Sequence, residues 1–242
     1  MGRFFEARKA TIMARSARMA KAFTRASREI VVAVKVGGPN PDSNPALKRA
    51  MQNARAVNMP KDKIQNAIKR ASGADTENYA EVLYEGYAPH GVAVMVVTMT
   101  DNTTRTVANV RMHFNKGGGN LGNSGSVAFM FDRKGVFRLR PEALTGDRDD
   151  FLLEMIDYGL ESITDSVDDD DNPIVVLQCE FGDFGDLQQG LDEQNVEILS
   201  SGSIFVPQTT QELDDDQMQD VLKLLQRLEG DDDVQDVFTS LE

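Results

Sequence analysis

Arg15, Arg18, Lys21, Arg25, Arg28 and Lys35 recur mostly every three or four residues, a spacing that at about 100° per residue collects cations along one side of a helix. Lys48, Arg49, Arg55, Lys61, Lys63, Lys69 and Arg70 follow on the next two helical segments. Such a surface attracts phosphate backbones and releases their condensed counterions when it docks. Solvated helix faces usually mix lysine with glutamate, whereas residues 1–77 hold 16 Lys/Arg against 6 Asp/Glu, so nucleic acid is the expected partner. The third segment starts Lys61, Asp62, Lys63, Ile64, Gln65, Asn66 after a turn at Asn58-Met59. That spacing fits a helix-turn-helix, in which Gln and Asn pair with adenine while lysines take phosphates; an exposed polar helix reads the same way.

Other groups with chemical potential lead elsewhere. Gly117, Gly119 and Gly122 match G-x-G-x-x-G, but the loop leaves a helix and enters a strand, the reverse of a pyrophosphate cradle. These glycines are expected to serve chain reversal, and no nucleotide cofactor is expected. The run Asp168 to Asp171 has Pro173 where an EF-hand needs glycine and Cys179 where it needs glutamate. With Asp214 to Asp216 and Asp231 to Asp233 it is expected to form solvated acidic surface, the middle run also capping a helix. His90 and His113 have no nucleophile at a recognisable spacing, and G-x-S-x-G, a Walker lysine and H-E-x-x-H do not occur. Neither an enzyme nor a metal or cofactor site is expected.

The single cysteine, Cys179, excludes an intramolecular disulfide and sits in an apolar segment, as in proteins of reducing compartments. No apolar run approaches the roughly 20 residues that cross a bilayer, and the start lacks a secretory apolar stretch. The expected place is the cytoplasm, away from membranes. The net charge of −13 conceals a strong segregation: residues 141–242 carry 3 basic and 29 acidic side chains. A basic end that meets nucleic acid is thus joined to an acidic body suited to a protein partner.

The elements that must carry these groups begin with a helix whose apolar stripe is Met19, Phe23, Ala26, Ile30 and Val34, stopped by Gly37-Gly38-Pro39. Asn44-Pro45 starts a second helix, with Leu47, Met51 and Ala54 inward, and Pro60 a third, with Ile64, Ala67 and Ile68 inward. From Tyr79 the pattern becomes β-rich, with Val92 to Thr98 the most apolar strand and a helix capped by Asp101-Asn102 that buries Val107, Val110 and Phe114. Ser126 to Phe131 and Gly135 to Leu139 read as strands across a turn at Asp132-Arg133-Lys134. Residues 135–206 then parse as β-α-β-β-α-β, the order of a ferredoxin-like unit. The fold class is α+β: a basic three-helix bundle over 1–77, a split α/β domain over 78–134 and 207–242, and an inserted ferredoxin-like domain over 135–206.

Several ordered motifs resemble the YebC/PmpR family. They are Gly37-Gly38 with Asn44-Pro45, Tyr84-Glu85-Gly86-Tyr87 with Pro89 and Gly91, Thr100-Asp101-Asn102 with Arg105-Thr106, and Gly118-Gly119-Asn120-Leu121-Gly122 followed by Gly125-Ser126-Val127. The resemblance spans nearly the whole chain and implies the same three domains. It implies a non-enzymatic regulator: a DNA-binding transcriptional regulator, or a translation factor that binds ribosomal RNA at the ribosome and relieves stalling. A cytoplasmic bacterial member without a separate transit peptide is implied as well. The family usually starts with His-Ser-Lys-Trp, where this chain has Gly2-Arg3-Phe4-Phe5 and no tryptophan, so Phe5 is the candidate substitute for the aromatic. The reading from another class is a protein-interaction module in which the acidic body does the binding.

Overall fold

A computed structural model describes the backbone of residues 3–73, 78–168 and 170–242, and within these the side chains from Ser16 onward. The side chains of Phe5 and Arg15 lie outside the described residues, as does Asp169 of the first acidic run. The chain divides into two compact units, residues 1–80 and 81–242.

The first unit is built of α1 (Arg3–Gly37), α2 (Pro45–Ala56) and α3 (Lys61–Ala71). Its core joins Ala26, Ile30, Ala33 and Val34 of α1 to Leu47, Ala50 and Ala54 of α2 and Ile64, Ala67 and Ile68 of α3. Met19 is exposed and Phe23 half-buried, so the expected α1 stripe enters the core only from Ala26 onward. Asn44 organises the α1–α2 corner. Its amide nitrogen donates to the carbonyls of Ala33 (2.7 Å) and Gly38 (2.8 Å), and its oxygen accepts from the Leu47 N–H (3.0 Å). A Cβ at Gly37 would lie 2.6 Å from Asn44 Cγ, so glycine there lets the amide reach both helices.

In the second unit, β1 (Ala80–Tyr87), β2 (Ala93–Thr100), β3 (Asn120–Leu121) and β8 (Val234–Thr239) form one sheet in the order β3-β1-β2-β8. Helices α4 (Thr103–Lys116) and α7 (Asp215–Gly230) pack on it through Val110, Phe114, Val221, Leu224 and Leu228, against Val92, Val94, Val96 and Val234. Asn102 caps α4 and Asp214 caps α7 in a box with Gln217. Thr106 takes a buried place on α4, where Val107 is only half-buried.

The other sheet holds β4 (Phe131–Leu139), β5 (Leu160–Val167), β6 (Pro173–Glu180) and β7 (Ile198–Pro207) in the order β5-β6-β4-β7, every pair antiparallel. With α5 (Arg148–Met155) and α6 (Phe184–Glu193) this gives β-α-β-β-α-β in sequence and the ferredoxin-like order in space. Phe137, Leu139, Met155, Leu177, Leu187 and Leu191 lie in its core. Met95, Phe131, Phe205 and Phe238 pack together between the two sheets.

One expected turn is absent. Asp132-Arg133-Lys134 is strand, paired with Ile204 to Val206 in the unbroken β4. Cross-strand partners hold the polar triplet extended: the Arg133 guanidinium lies 3.8 Å from the Phe181 ring centroid and donates to Ser203 Oγ, and Lys134 bridges Glu161 and Glu180. The preceding residues are not the expected strand either, because Glu85 captures their backbone. Its buried carboxylate accepts from the N–H groups of Gly125 (2.7 Å), Val127 (2.8 Å) and Ala128 (2.8 Å).

Burial alone would raise the Glu85 pKa, but these backbone donors more than offset it and hold the carboxyl below its ordinary value. A lowered native pKa gives stability that is full above the ordinary glutamate value and lost as pH falls through the lowered one. Glu85→Gln is expected to cost about 1–3 kcal/mol at pH 7, since it turns an amide N–H₂ toward donors that need an acceptor. Urea titrations of both proteins check this, and the difference between them should shrink as the pH drops below about 4.5.

Candidate nucleic-acid interface

The described candidate cations all lie in the helical unit. Arg18, Lys21, Arg25 and Arg28 follow one another along α1 at three- and four-residue steps, which makes their side chains surface neighbours. Arg18 is exposed and the other three half-buried. Lys35, in the last turn of α1, donates to Asn78 Oδ1 at 2.7 Å. On α2, Lys48 and Arg55 are exposed and Arg49 half-buried; on α3, Lys61, Lys63, Lys69 and Arg70 are exposed.

Three of these cations meet in one place. Arg28 of α1 and Lys63 and Arg70 of α3 line a groove of about 810 Å³, whose α1 wall is Ala20, Phe23, Thr24, Ser27 and Val31. Asn66 and Ala67 of α3, with Met59, Gly73 and Tyr79, complete it. Both walls follow from helical spacing, as their members stand three or four residues apart. The Arg28 guanidinium sits over the Tyr79 ring at 5.1 Å and the Lys63 ammonium over the Phe23 ring at 4.9 Å. Each ring attracts its cation through the negative face of the π system and so narrows the positions a long side chain samples. Lys21, Arg25, Lys48 and the other candidates are not among the residues lining the groove.

Helical spacing predicts Phe23 in the core and marks Tyr79 only as the point where the pattern changes, whereas in the structure both line the groove. The available signal was an aromatic on α1 two turns before the buried Ile30, beside hydroxyls at Thr24 and Ser27. Spacing alone does not show that α3 stops short of covering it.

The glycine segment offers no open cradle. A Cβ at Gly119 would fall 2.5 Å from the Tyr87 carbonyl oxygen, and one at Gly117 2.7 Å from the Leu224 side chain. These glycines let the chain reverse tightly from α4 into β3, as their position between helix and strand implies.

The last acidic run is not the solvated surface expected of it. Asp233 is 3% exposed and accepts from Thr106 Oγ1 (2.8 Å), Thr100 Oγ1 (3.3 Å) and Arg105 Nη2 (2.9 Å). Hydrogen bonds to Asp233 and then to Asp101 hold the Arg105 guanidinium pKa above its ordinary value. Asp231 lies 3.1 Å from His113 Nε2, both side chains largely buried, while His90 faces Asp220 at 3.5 Å. In the first run, Asp168 is a turn residue that accepts from the backbone N–H groups of Asp170 and Asn172. Among the described residues no group of three acidic, histidine or cysteine side chains could hold a metal ion. Burial, then Asp183 and Glu161, push the Cys179 thiol up to about 11, which keeps it protonated at neutral pH. Among the described residues no helix is long and apolar enough to cross a membrane.

A family model described as the TACO1/YebC protein N-terminal domain matches residues 3–74, and one described as the TACO1/YebC second and third domain matches residues 79–241. A probable transcriptional regulatory protein of Anaeromyxobacter dehalogenans is 57% identical over 241 residues, with 100% of both chains covered. A protein of the same description from Myxococcus xanthus is 56% identical over 241 residues at the same coverage. One from Flavobacterium johnsoniae is 48% identical over 100% of this chain and 99% of its own. The crystal structure of a conserved hypothetical protein from Aquifex aeolicus superposes with a TM-score of 0.78 at 37% identity, covering 93% of this chain and 91% of that one. With the two models together spanning nearly the whole chain and relatives this similar over their full length, the chain belongs to the TACO1/YebC family.

Proposed function

We propose that this protein is a non-enzymatic, nucleic-acid-binding regulator of gene expression, acting on DNA in transcriptional control. The observation that carries the reading is the continuous cationic stripe Arg18, Lys21, Arg25 and Arg28 on α1 of a bundle otherwise poor in acids. Stripes of this kind neutralise successive phosphates without reference to sequence. Relatives named as probable transcriptional regulatory proteins support the regulatory role. In this reading the bundle, residues 1–77, grips phosphate in the cytoplasm, and the α/β domains, 78–134 with 207–242 and 135–206, set spacing and engage a protein partner through their acidic surface. No cofactor, metal, membrane or small-molecule substrate takes part.

A second reading, ribosomal RNA bound at the ribosome, draws support from the groove between α1 and α3, since folded RNA displays the unstacked bases that aromatic and cationic side chains hold. Titration of the full chain with duplex DNA at several salt concentrations tests the common claim: log K should fall linearly with log salt, with a slope of several units. A DNA regulator should then prefer its selected sequence over random duplex by about 10³-fold or more at fixed salt. Equal affinity for all duplexes, with co-sedimentation on ribosomes in a sucrose gradient, would favour the second reading. A flat salt response for both polymers would remove both and leave the acidic interaction module.

A further inference from the structure

We infer that the outer edge of β5 is a docking surface for an extended basic segment of a protein partner, which joins the ferredoxin-like sheet as a further strand beside β5. The inference rests on the reading above that the acidic body engages a protein, and adds where it does so and what kind of segment it takes.

β5 ends the sheet order β5-β6-β4-β7, so among the described residues its backbone pairs on one side only, with β6. The register shifts once, between Leu160 and Ser162. From Ser162 to Val167 the pairing is regular, which leaves an uninterrupted row of N–H and C=O groups along the outer side. Thr164, Asp165, Ser166 and Val167 are all exposed there. The other sheet edges are less open. β3 is two residues long, β8 changes register on β2 between Val97 and Thr98, and β7 runs beside the other sheet, where Phe205 meets Phe238 at 5.6 Å.

Alternation along the strand decides what the edge accepts. Ile163 packs against the core that Met155 of α5 and Leu187 of α6 complete, so Ile163, Asp165 and Val167 share the helix-covered face, and Ser162, Thr164 and Ser166 the other. Val167 is 58% exposed and Ile163 half-buried, so both keep apolar surface for a neighbour. A strand laid beside β5 therefore meets an apolar, an acidic and an apolar side chain on one face and three hydroxyls on the other. Its complement carries apolar, basic and apolar residues at alternate positions, with small polar residues between them. Charge separates the possible occupants. β5 has no lysine or proline, the usual guards of an edge, and its two charges, Glu161 and Asp165, are both acidic. Asp149 and Asp150 stand exposed in the first turn of α5, beside the Arg148 that pairs with Asp165 at 2.7 Å. Both members of that pair are exposed, so an incoming cation shares the carboxylate at little cost. A second copy of β5 would set acids against acids, and a polynucleotide would be repelled.

The experiment uses the full chain and a labelled, end-capped probe peptide, Lys-Val-Thr-Lys-Thr-Val-Lys, at one low salt concentration. Anisotropy reads binding and amide hydrogen exchange reads its place. The peptide is expected to bind saturably and to slow exchange at β5, with β3 and β8 unchanged. Two further peptides are N-methylated on one or the other set of alternate residues. An added strand turns only one set of N–H groups toward β5, so one of these peptides should lose binding and the other keep it. Asp165→Lys, at an exposed position, should weaken the probe by about 2- to 30-fold, the worth of one cross-strand attraction lost and one repulsion gained. The same variant should prefer the peptide with glutamate at its central lysine, which the native chain should reject.

Salt-sensitive binding that ignores both N-methylation patterns, or that leaves β5 exchange unchanged, overturns the inference while keeping an acidic surface that holds a basic partner elsewhere. Protection of β5 that rises with protein concentration in the absence of peptide overturns it in favour of pairing between copies. No binding of any peptide overturns it as well, and the salt titration with duplex DNA decides the nucleic-acid reading of the bundle independently.

Discussion

Changing Arg18, Lys21, Arg25 and Arg28 together to alanine is expected to reduce the slope of log K against log salt by about 3.6 units for duplex DNA, about 0.9 for each phosphate that is no longer neutralised. At 0.15 M salt this corresponds to roughly a thousandfold weaker binding, since the counterions of those phosphates stay condensed on the polymer. The four side chains share one stripe of α1, so in the proposed reading they would meet one stretch of backbone rather than four scattered points. Of the four, Arg28 also sits over a ring, that of Tyr79. A thermal melt of the variant separates loss of charge from loss of fold, because alanine favours the helix and Arg18, Lys21 and Arg25 are not core residues. The intercept at 1 M salt should hardly move. A variant with native slope and native affinity would mean that the basic end does not grip polyanions, and the acidic body would become the binding surface.

Asp233→Ala is expected to cost about 3 kcal/mol of folding stability, read as a lower urea midpoint at constant m. The carboxylate is the common acceptor for Thr100 at the end of β2 and for Arg105 and Thr106 on α4, and its backbone carbonyl accepts from the Met99 N–H at 2.8 Å. Alanine leaves two buried hydroxyls and a guanidinium without that acceptor. Arg105 is partly exposed and can turn to Asp101 and water, which places the loss at the lower end for a broken buried pair. Glu229→Ala, exposed in the last turn of α7, should fall within about 0.5 kcal/mol. Similar effects at both positions would mean that Asp233 carries no structural load.

The helical end of the molecule is readable because its signals are local. Gly37-Gly38-Pro39 can stop a helix and Asn44-Pro45 can start one whatever lies elsewhere, and both do so here. The order of elements that defines the ferredoxin-like sheet is readable for the same reason, as each strand and helix announces itself by periodicity. The failures share a different cause. An aspartate in a run of three looks solvated until Arg105 and Thr106, more than a hundred residues earlier in the chain, arrive beside it. Asp132-Arg133-Lys134 looks like a turn until the Phe181 ring, Ser203 and two glutamates hold it extended. Glu85 stands within a family motif, yet its hold on the backbone near residue 127 spans about forty residues of chain. For the candidate interface, the cations are evident from composition, and the groove is not. A groove depends on where two helices fail to touch, and no residue pattern within either helix records that.

Strand β8 borders β2 through pairs such as Val94 with Thr239, which join segments about 145 residues apart in the chain. During synthesis, the helical unit can therefore assemble from neighbouring segments soon after it emerges, while the first sheet waits for residues 234–239 before its edge is filled. A nascent chain would display its cationic end already folded while the remainder was still an open sheet with apolar valines uncovered. Loss of β8 would thus strike the sheet and the helices α4 and α7 packed on it, and spare the helical unit.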